Sequence, residues 1–238
     1  MLLKRTLFAC LLLLCATPRL NAAVTFVQYA SSVPTTSSGT VAFGSNVTAG
    51  DILCYIVTGF STSSATPTDT LSTTYSLLTQ TGGTSNVLFY VGKAGSSGAN
   101  TVSFSGVNAS NVLIVVEEWS GVAGVYLGNV GTQGGTTYSL TNATSPLTAQ
   151  GGVMLVFATQ TVNNTTFTFS GGTIRAQANP PAVLSCVVGD EPISQQTVVN
   201  NLTVSMTLGS GGSGAMGMVY LEPIASGGAS AANSAYAN

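Results

Sequence analysis

The 238-residue chain contains no histidine, which limits the chemistry that its side chains can perform. A Ser-His-Asp hydrolase needs a base of near-neutral pKa, and without histidine that mechanism is excluded. A glycoside hydrolase needs two suitably placed carboxyl groups, and seven residues carry one: Asp51, Asp69, Glu117, Glu118, Asp190, Glu191 and Glu222. Glu117 and Glu118 are adjacent in a predicted strand, so they point to opposite faces and cannot form one acid and base pair. We therefore expect a protein that is not an enzyme, with glycoside hydrolysis as a remote alternative.

The sequence offers few ligands for a metal, cofactor or nucleic acid. Without histidine or a Cys-x-x-Cys motif, no zinc, copper or haem site is expected. Calcium binds to oxygen ligands alone, and Asp190 with Glu191 is the best candidate for it, but the segment Asp190-Glu191-Pro192 is more typical of a solvated turn. Only five residues are basic, which is too few for a phosphate-binding surface: Lys4, Arg5, Arg19, Lys93 and Arg175. We expect no cofactor, no bound metal and no nucleic-acid partner.

The first 22 residues have the pattern of a secretory signal peptide. Lys4 and Arg5 precede an apolar run over 7–16, and small residues follow. That run is about ten residues long, whereas a membrane-spanning helix needs about 20, so no transmembrane segment is expected. The predicted organisation is a signal peptide over 1–22, one domain over 23–224 and a flexible low-complexity tail over 225–238. The expected location is outside the cell or at the cell surface.

Two cysteines, Cys54 and Cys186, follow the predicted signal peptide. In an oxidising compartment they could form a disulfide that closes a long loop. The other interpretation is two buried free thiols in apolar strands. Sequence gives no distance between the two sulfur atoms, so both interpretations stay open.

The rest of the chain has an all-β pattern. Short runs rich in Val, Ile, Thr, Phe and Tyr alternate with clusters of Gly, Asn and Ser, and thirteen strands are predicted between Val24 and Glu222. Continuous apolar runs over 52–57 and 112–116 indicate central strands that are buried on both faces. The expected fold is a single β-sandwich of two sheets.

The strand pattern is partly repeated after about 100 residues. Thr48-Ala49-Gly50-Asp51 leads into one apolar strand, and Thr148-Ala149-Gln150-Gly151 leads into another. Thr101-Val102-Ser103-Phe104 is echoed by Thr203-Val204-Ser205-Met206 in the same order. Such echoes indicate two related halves. We expect a jelly roll in which each half contributes strands to both sheets.

A set of motifs over residues 24–224 resembles a widespread bacterial secreted β-sandwich module. The segments that carry the resemblance are Val47 to Leu53, Thr68 to Leu71 with Tyr75, Gly98 to Val102, and Val116 to Val122. Such modules occur alone or beside fibronectin type III and immunoglobulin-like domains in surface and carbohydrate-active proteins. The resemblance therefore implies an extracellular, non-catalytic role, and it supplies no ligand residues. The chain departs from the module at Ser72-Thr73, where Gly-Asn is usual, and at Trp119, where tyrosine is common.

The low charge content, 5% of residues, favours a surface or matrix protein that works by self-association, as a fibre or layer subunit, or by adhesion. Few charges protect strand edges against a neighbour's strand. An N-terminal strand carrying Val24, Phe26 and Tyr29 could be exchanged between molecules. The alternative for this strand is that it completes the sheet of its own chain.

A carbohydrate-binding module is the alternative function. It predicts exposed aromatic side chains aligned on one face to stack against extracellular glycans, and the candidates are Trp119, Tyr126 and Tyr138. Trp119 directly follows an apolar run, so a core position is its other interpretation.

Overall fold

The computed structural model describes residues 23–60, 66–81, 85–141, 151–162, 166–169, 171–179, 185–193 and 203–224. The predicted signal peptide (1–22) and tail (225–238) lie outside these residues. All secondary-structure elements among the described residues are β-strands, so the all-β prediction is confirmed. Among the same residues, no helix is long and apolar enough to span a membrane.

The described residues of the first half of the chain form eight strands. They are β1 (Thr25–Ser32), β2 (Ser38–Ala42), β3 (Ile52–Phe60), β4 (Thr68–Asp69), β5 (Tyr75–Gln80), β6 (Ser85–Lys93), β7 (Thr101–Ser105) and β8 (Val112–Ser120). They form an antiparallel five-stranded sheet in the order β1-β8-β3-β6-β5 and a three-stranded sheet in the order β2-β7-β4.

In the second half, the part of the chain that the structure describes forms six strands, two of which are long. They are β9 (Val122–Thr141), β10 (Val153–Gln160), β11 (Phe167–Phe169), β12 (Thr173–Ala178), β13 (Ser185–Pro192) and β14 (Thr203–Pro223). Their order is β11-β14-β10-β13-β12, and β9 also pairs with β14. Gly135 lies opposite the irregular part of β14 around Gly212, and its φ of 89° is a conformation that glycine adopts without strain.

The two halves have the same strand order. β3, β4, β5 and β6 correspond to β10, β11, β12 and β13, while β9 combines the places of β1 and β2, and β14 those of β7 and β8. The pairing register also matches. Ile52 lies opposite Trp119 and Lys93, as Val153 lies opposite Leu221 and Pro192.

A β-bulge occurs at the same place in both halves. It falls between Leu77 and Thr79 in β5, and between Ile174 and Ala176 in β12. A bulge inserts one extra residue into an otherwise regular ladder. A shared bulge position therefore supports two related halves more strongly than strand order alone.

The buried apolar side chains of the described residues form three layers. In β3, residues 53, 55 and 57 face the three-stranded sheet of their own half, and residues 52, 54 and 56 face the second half. The second half encloses its own core between β10 and a layer that consists of β11, the last residues of β9 and the first residues of β14. We call the central layer, between β1-β8-β3-β6-β5 and β9-β14-β10-β13-β12, the seam. Its packing includes the stacked rings of Phe89 and Phe157, with centroids 5.4 Å apart.

This layering explains the continuous apolar runs and corrects one prediction. Strands β3, β8 and β10 are buried on both faces because each half covers one face and the opposite half covers the other. The expectation that each half contributes strands to both sheets of one sandwich is wrong. Each half encloses its own core, and the five-stranded sheet of the first half then packs at the seam on the six-stranded sheet of the second half.

Two local predictions are also wrong. Asp190-Glu191-Pro192 ends strand β13 and does not form a turn, because it pairs with β10 on one side and Asp190 pairs with β12 on the other. No strand is predicted at β12, because in its sequence, Thr-Ile-Arg-Ala-Gln-Ala, only the first two residues are strong strand formers. β12 is positioned by its pairing with β13.

Candidate functional site

One end of the seam carries a cluster of polar and aromatic side chains, which begins with Trp119 on β8. Trp119 is only 1% exposed, and its Nε1 donates a hydrogen bond of 2.9 Å to Oε2 of Glu117. The two residues share a face because they are two positions apart in a strand. Phe26 of β1 lies opposite Trp119, with ring centroids 5.3 Å apart in an edge-to-face arrangement.

The second half contributes an ion pair to the same end of the seam. Arg175 is the bulged residue of β12, and its Nε and Nη2 donate to the two carboxylate oxygens of Asp190 on β13. The guanidinium carbon lies 3.9 Å from the ring centroid of Phe26. Arg175 therefore crosses the seam and joins β12 to β1 through a cation–π contact.

We call these five residues, Phe26, Glu117, Trp119, Arg175 and Asp190, the polar end of the seam. Burial raises the pKa of Glu117 to about 7; the Trp119 hydrogen bond opposes that rise, nearby Asp190 adds to it, and Arg175 opposes it. Burial also raises the pKa of Asp190, against the pairing with Arg175. Among the described residues, Oε1 of Glu117 has no hydrogen-bond partner. The carboxyl group is therefore only half satisfied where it is buried.

A cavity of about 170 Å³ opens beside this cluster. Phe26 and Trp119 line it from the first half, and Arg175 and Asp190 from the second. The segment around Gly151 forms the remaining wall, and its carbonyl accepts a hydrogen bond of 2.7 Å from the backbone N–H of Val24. The cavity is partly open to solvent, so a small molecule could reach the ion pair.

A second carboxyl pair lies on the opposite face of β8. Glu118 accepts hydrogen bonds from Gln28 Nε2 (2.6 Å) and from the backbone N–H of Thr48 (2.8 Å). The pKa of Asp51 is raised to about 6 by burial and by a hydrogen bond and charge repulsion from Glu118. The Asp51 and Glu118 carboxyl groups therefore lie close together. Glu118 holds the Thr48 turn against β1, which is a structural role.

The carboxyl group of Asp69 is fully used within its own loop. It accepts hydrogen bonds from the backbone N–H groups of Leu71 and Thr73, from the Tyr75 hydroxyl and from Asn100 Nδ2. These hydrogen bonds outweigh burial and lower the pKa of Asp69. Among the described residues, no three Cys, Asp or Glu side chains converge as metal ligands would.

Trp119, Tyr126 and Tyr138 do not form the predicted glycan-stacking face. Trp119 is buried in the seam, and Tyr138 is 0% exposed in the core of the second half. Tyr126 is half-buried and donates to Glu222 Oε2 at 3.0 Å. Trp119 belongs to the seam, and Tyr126 and Tyr138 belong to the core of the second half, so these three side chains form no exposed row.

The two cysteines are free, buried thiols, so the disulfide considered for them is not formed in the structure. Both side chains belong to the seam, Cys54 from β3 and Cys186 from β13. Cys186 Sγ donates to the carbonyl of Thr58 at 3.3 Å, a contact across the seam. Burial raises the pKa of both thiols, so they stay protonated.

The strand considered for exchange between molecules completes the sheet of its own chain. β1 pairs antiparallel with β8. Val24 is buried, Phe26 packs against the seam, and Tyr29 is 43% exposed. Exchange of this strand would therefore expose Trp119 and Arg175 until a second copy replaced Phe26.

Arg175 is the functional candidate that sequence reasoning missed. It lies in a strand with no predicted counterpart, and its partner Asp190 was expected in a solvated turn. The available signal was composition: Arg175 is the only basic residue after Lys93 in a chain with few charges.

Comparison of the chain with protein-family models, curated proteins and solved structures gives no match. The resemblance to secreted β-sandwich modules therefore rests on its motifs. Any functional conclusion has to come from the geometry described above.

Proposed function

We propose that the protein is a secreted, non-catalytic component of a cell surface or extracellular matrix that works by self-association. The observation that carries this proposal is the placement of charge. From residue 23 onward the chain has nine charged residues, all within the described part, and only Lys93 is exposed. The seven carboxyl groups and Arg175 are buried or half-buried.

A surface with so little charge favours association. Soluble monomers normally carry interspersed charges, and strand edges in particular are protected by lysine or other charged residues. In this protein, eight of the nine charged side chains are buried or half-buried. Copies of the protein would therefore approach one another with few exposed charged side chains at their surfaces.

The edge strand β1 is the best place for such contacts. It lies at the end of its sheet and carries no charged residue. Val27 (41% exposed), Tyr29 (43%) and the following Val33 (36%) are three of the five large hydrophobic side chains that are exposed among the described residues. An unprotected edge with apolar side chains can add a strand or an edge from another copy.

The outer face of the second half is also uncharged. Exposed hydroxyl pairs join β9 to β14: Thr141 with Thr203 at 2.8 Å, and Ser205 with Ser139 at 3.0 Å. In the three-stranded sheet of the first half, the exposed residues Thr40 and Ser103 lie opposite each other. Both outer faces thus offer neutral, hydroxyl-rich surfaces suited to packing in a layer.

The test places lysines on the edge strand. Val27→Lys/Tyr29→Lys adds the charges that normally protect an edge, and Ile224→Lys adds a charge at an exposed residue outside the strands. We expect the wild-type chain and Ile224→Lys to assemble with rising concentration, in light scattering and negative-stain electron microscopy. The β1 variant should stay monomeric.

Two results would contradict the proposal. A wild-type chain that is monomeric over the whole concentration range would remove self-association. Equal assembly of the β1 variant and the Ile224→Lys control would move the contact away from β1. Circular dichroism of all three proteins checks that the lysines have not unfolded the sheet.

A further inference from the structure

The polar end of the seam is not required by the fold, because the residues at the equivalent register positions of the two halves are aliphatic. When the strand registers of the two halves are matched, Trp119 corresponds to Leu221, Glu117 to Val219 and Asp190 to Val91. In the same way, Phe26 corresponds to Val125, and the bulged residue Arg175 corresponds to the bulged residue Leu78. Val91, Val125, Val219 and Leu221 are buried in the seam, and Leu78 packs against it. We call these five residues the apolar end of the seam.

The polar groups are costly where they lie. Burying charges is unfavourable even when they are paired, and a half-satisfied buried carboxyl is more unfavourable still. Glu117 is fully buried, and its Oε1 has no hydrogen-bond partner among the described residues. Since the apolar end shows that aliphatic residues suffice to pack this position, the polar end has a different purpose from packing.

The cavity beside these groups has the size of one ring. It measures about 170 Å³, and a protein cavity of about 150 Å³ is large enough to bind benzene. Drug-sized ligands occupy pockets of about 300 Å³ or more, so a larger molecule could enter only with one terminal unit. A six-membered ring therefore fits the available space.

The walls of the cavity select the chemistry of that ring. Arg175 has five N–H donors and uses two of them on Asp190, which leaves three without an acceptor among the described residues. The ring of Phe26 and the small exposed part of the Trp119 indole supply an apolar wall. Asp190 repels an anion and Arg175 repels a cation, so a neutral ring with hydroxyl groups is preferred.

We propose that the cavity at the polar end of the seam binds a single neutral pyranose ring, such as the terminal unit of an extracellular glycan. Hydroxyl groups of the sugar accept from the free N–H groups of Arg175 and donate to Asp190, and the apolar side of the ring packs on Phe26 beside Trp119. This site is separate from the exposed aromatic row expected for a carbohydrate-binding module. The inference goes beyond self-association and does not depend on it.

Trp119 is the only tryptophan in the chain, so its indole N–H gives one signal that reports directly on this cavity. The experiment is a titration of the purified, ¹⁵N-labelled chain with neutral methyl pyranosides, followed by the indole signal in ¹H–¹⁵N spectra. Single-ring ligands of about a dozen heavy atoms typically bind with a Kd of about 1 mM. We expect a saturable shift of the indole signal by at least one of these glycosides.

Three variants make the test specific. Arg175→Lys keeps the positive charge but loses the planar donor fork, and we expect binding about tenfold weaker. The double variant Arg175→Leu/Asp190→Val copies the apolar end and should abolish the shift. Leu78→Ala, at the apolar end, should bind as the wild type does.

Three outcomes would overturn the proposal. One is that no pyranoside shifts the indole signal at concentrations well above about 1 mM, the affinity expected for one ring. Another is that toluene or cyclohexanol shifts it while the sugars do not, which would assign the cavity to an apolar ring. The third is an equal shift in the double variant, which would mean nonspecific binding. Assembly measured by light scattering is independent of each of these outcomes, so failure here leaves self-association to its own test.

Discussion

The two ends of the seam occupy equivalent positions in the two halves, but they are built from opposite kinds of side chains. At the polar end, Glu117, Arg175 and Asp190 are brought together with two aromatic rings. At the apolar end, the same register positions hold only Val and Leu. Strand order, pairing and bulge position are the same in both. The comparison therefore separates what the fold needs, which is filled space, from what this particular chain has added.

The difference also concerns pH. No residue of the apolar end can titrate, whereas the pKa of Glu117 is raised to about 7 at the polar end. A buried ion pair contributes little net stability compared with aliphatic packing, but removal of one partner leaves an uncompensated charge. The polar end should therefore respond to single substitutions and to pH, and the apolar end should not respond to pH.

The largest expected effect comes from removing Arg175 alone. Arg175→Leu gives the bulge the residue type of its counterpart Leu78, but it leaves Asp190 buried without its cation and near Glu117. We expect the free energy of unfolding at pH 8 to fall by about 3–5 kcal/mol. Urea unfolding measures it, with Leu78→Ala as the control at the apolar end. A loss no larger than that of the control would show that the ion pair is not needed to hold Asp190.

The next effect is the dependence of stability on pH. The pKa of Glu117 is raised from its ordinary 4.5 to about 7 in the folded chain, so its protonated form stabilises the fold. That stability is fully present below pH 4.5 and is lost as the pH rises through about 7, with a total on the order of 3 kcal/mol. Urea unfolding between pH 4 and pH 9 measures the decline.

Glu117→Gln is the control for this pH effect, because the amide keeps the shape and cannot ionise. Its stability should decline much less over the same range. Asp51, whose pKa is raised to about 6, adds a change of the same sign, and Asp51→Asn isolates it. A wild-type profile that is flat, or that rises with pH, would contradict the burial of an uncompensated Glu117.

The smallest expected effect comes from making the polar end resemble the apolar end. Arg175→Leu/Asp190→Val removes both charges together, and replacement of a buried ion pair by aliphatic residues is commonly neutral or stabilising. Because Arg175 is partly exposed, we expect no change or a gain of about 1 kcal/mol. Thermal and urea unfolding test this. A large loss would mean that the ion pair is part of the fold and not an addition to it.

Much of the architecture could be predicted from the sequence. The apolar runs of β3 and β8 indicate central strands, and the Thr101 and Thr203 segments do occupy equivalent places in the two halves. A strand at β12 could not be predicted from its own residues. It lies in the sheet through its pairing with β13. For the same reason Arg175 had no predicted position, and Asp190 was assigned to a turn.

The candidate site was less predictable than the fold. Trp119 and Phe26 were both singled out, but as an exposed sugar platform and as part of an exchangeable strand, and the structure brings them together inside the seam. Period-2 alternation shows which side chains of a strand share a face. It does not show whether that face is covered, because the covering layer here comes from about 100 residues away in the chain.

The sequence by itself determined the all-β class, the repeated order of strands, and the absence of histidine chemistry, because these depend on residue types and on short-range periodicity. Only the tertiary structure decided that each half closes its own core and that the five-stranded sheet of the first half meets the six-stranded sheet of the second half at a seam. The same packing placed Phe26, Trp119, Arg175 and Asp190 around one cavity, with Glu117 hydrogen-bonded to Trp119 behind it. Contacts between residues so distant in the chain depend on which sheet faces are buried together, and that is settled by the packing of whole layers.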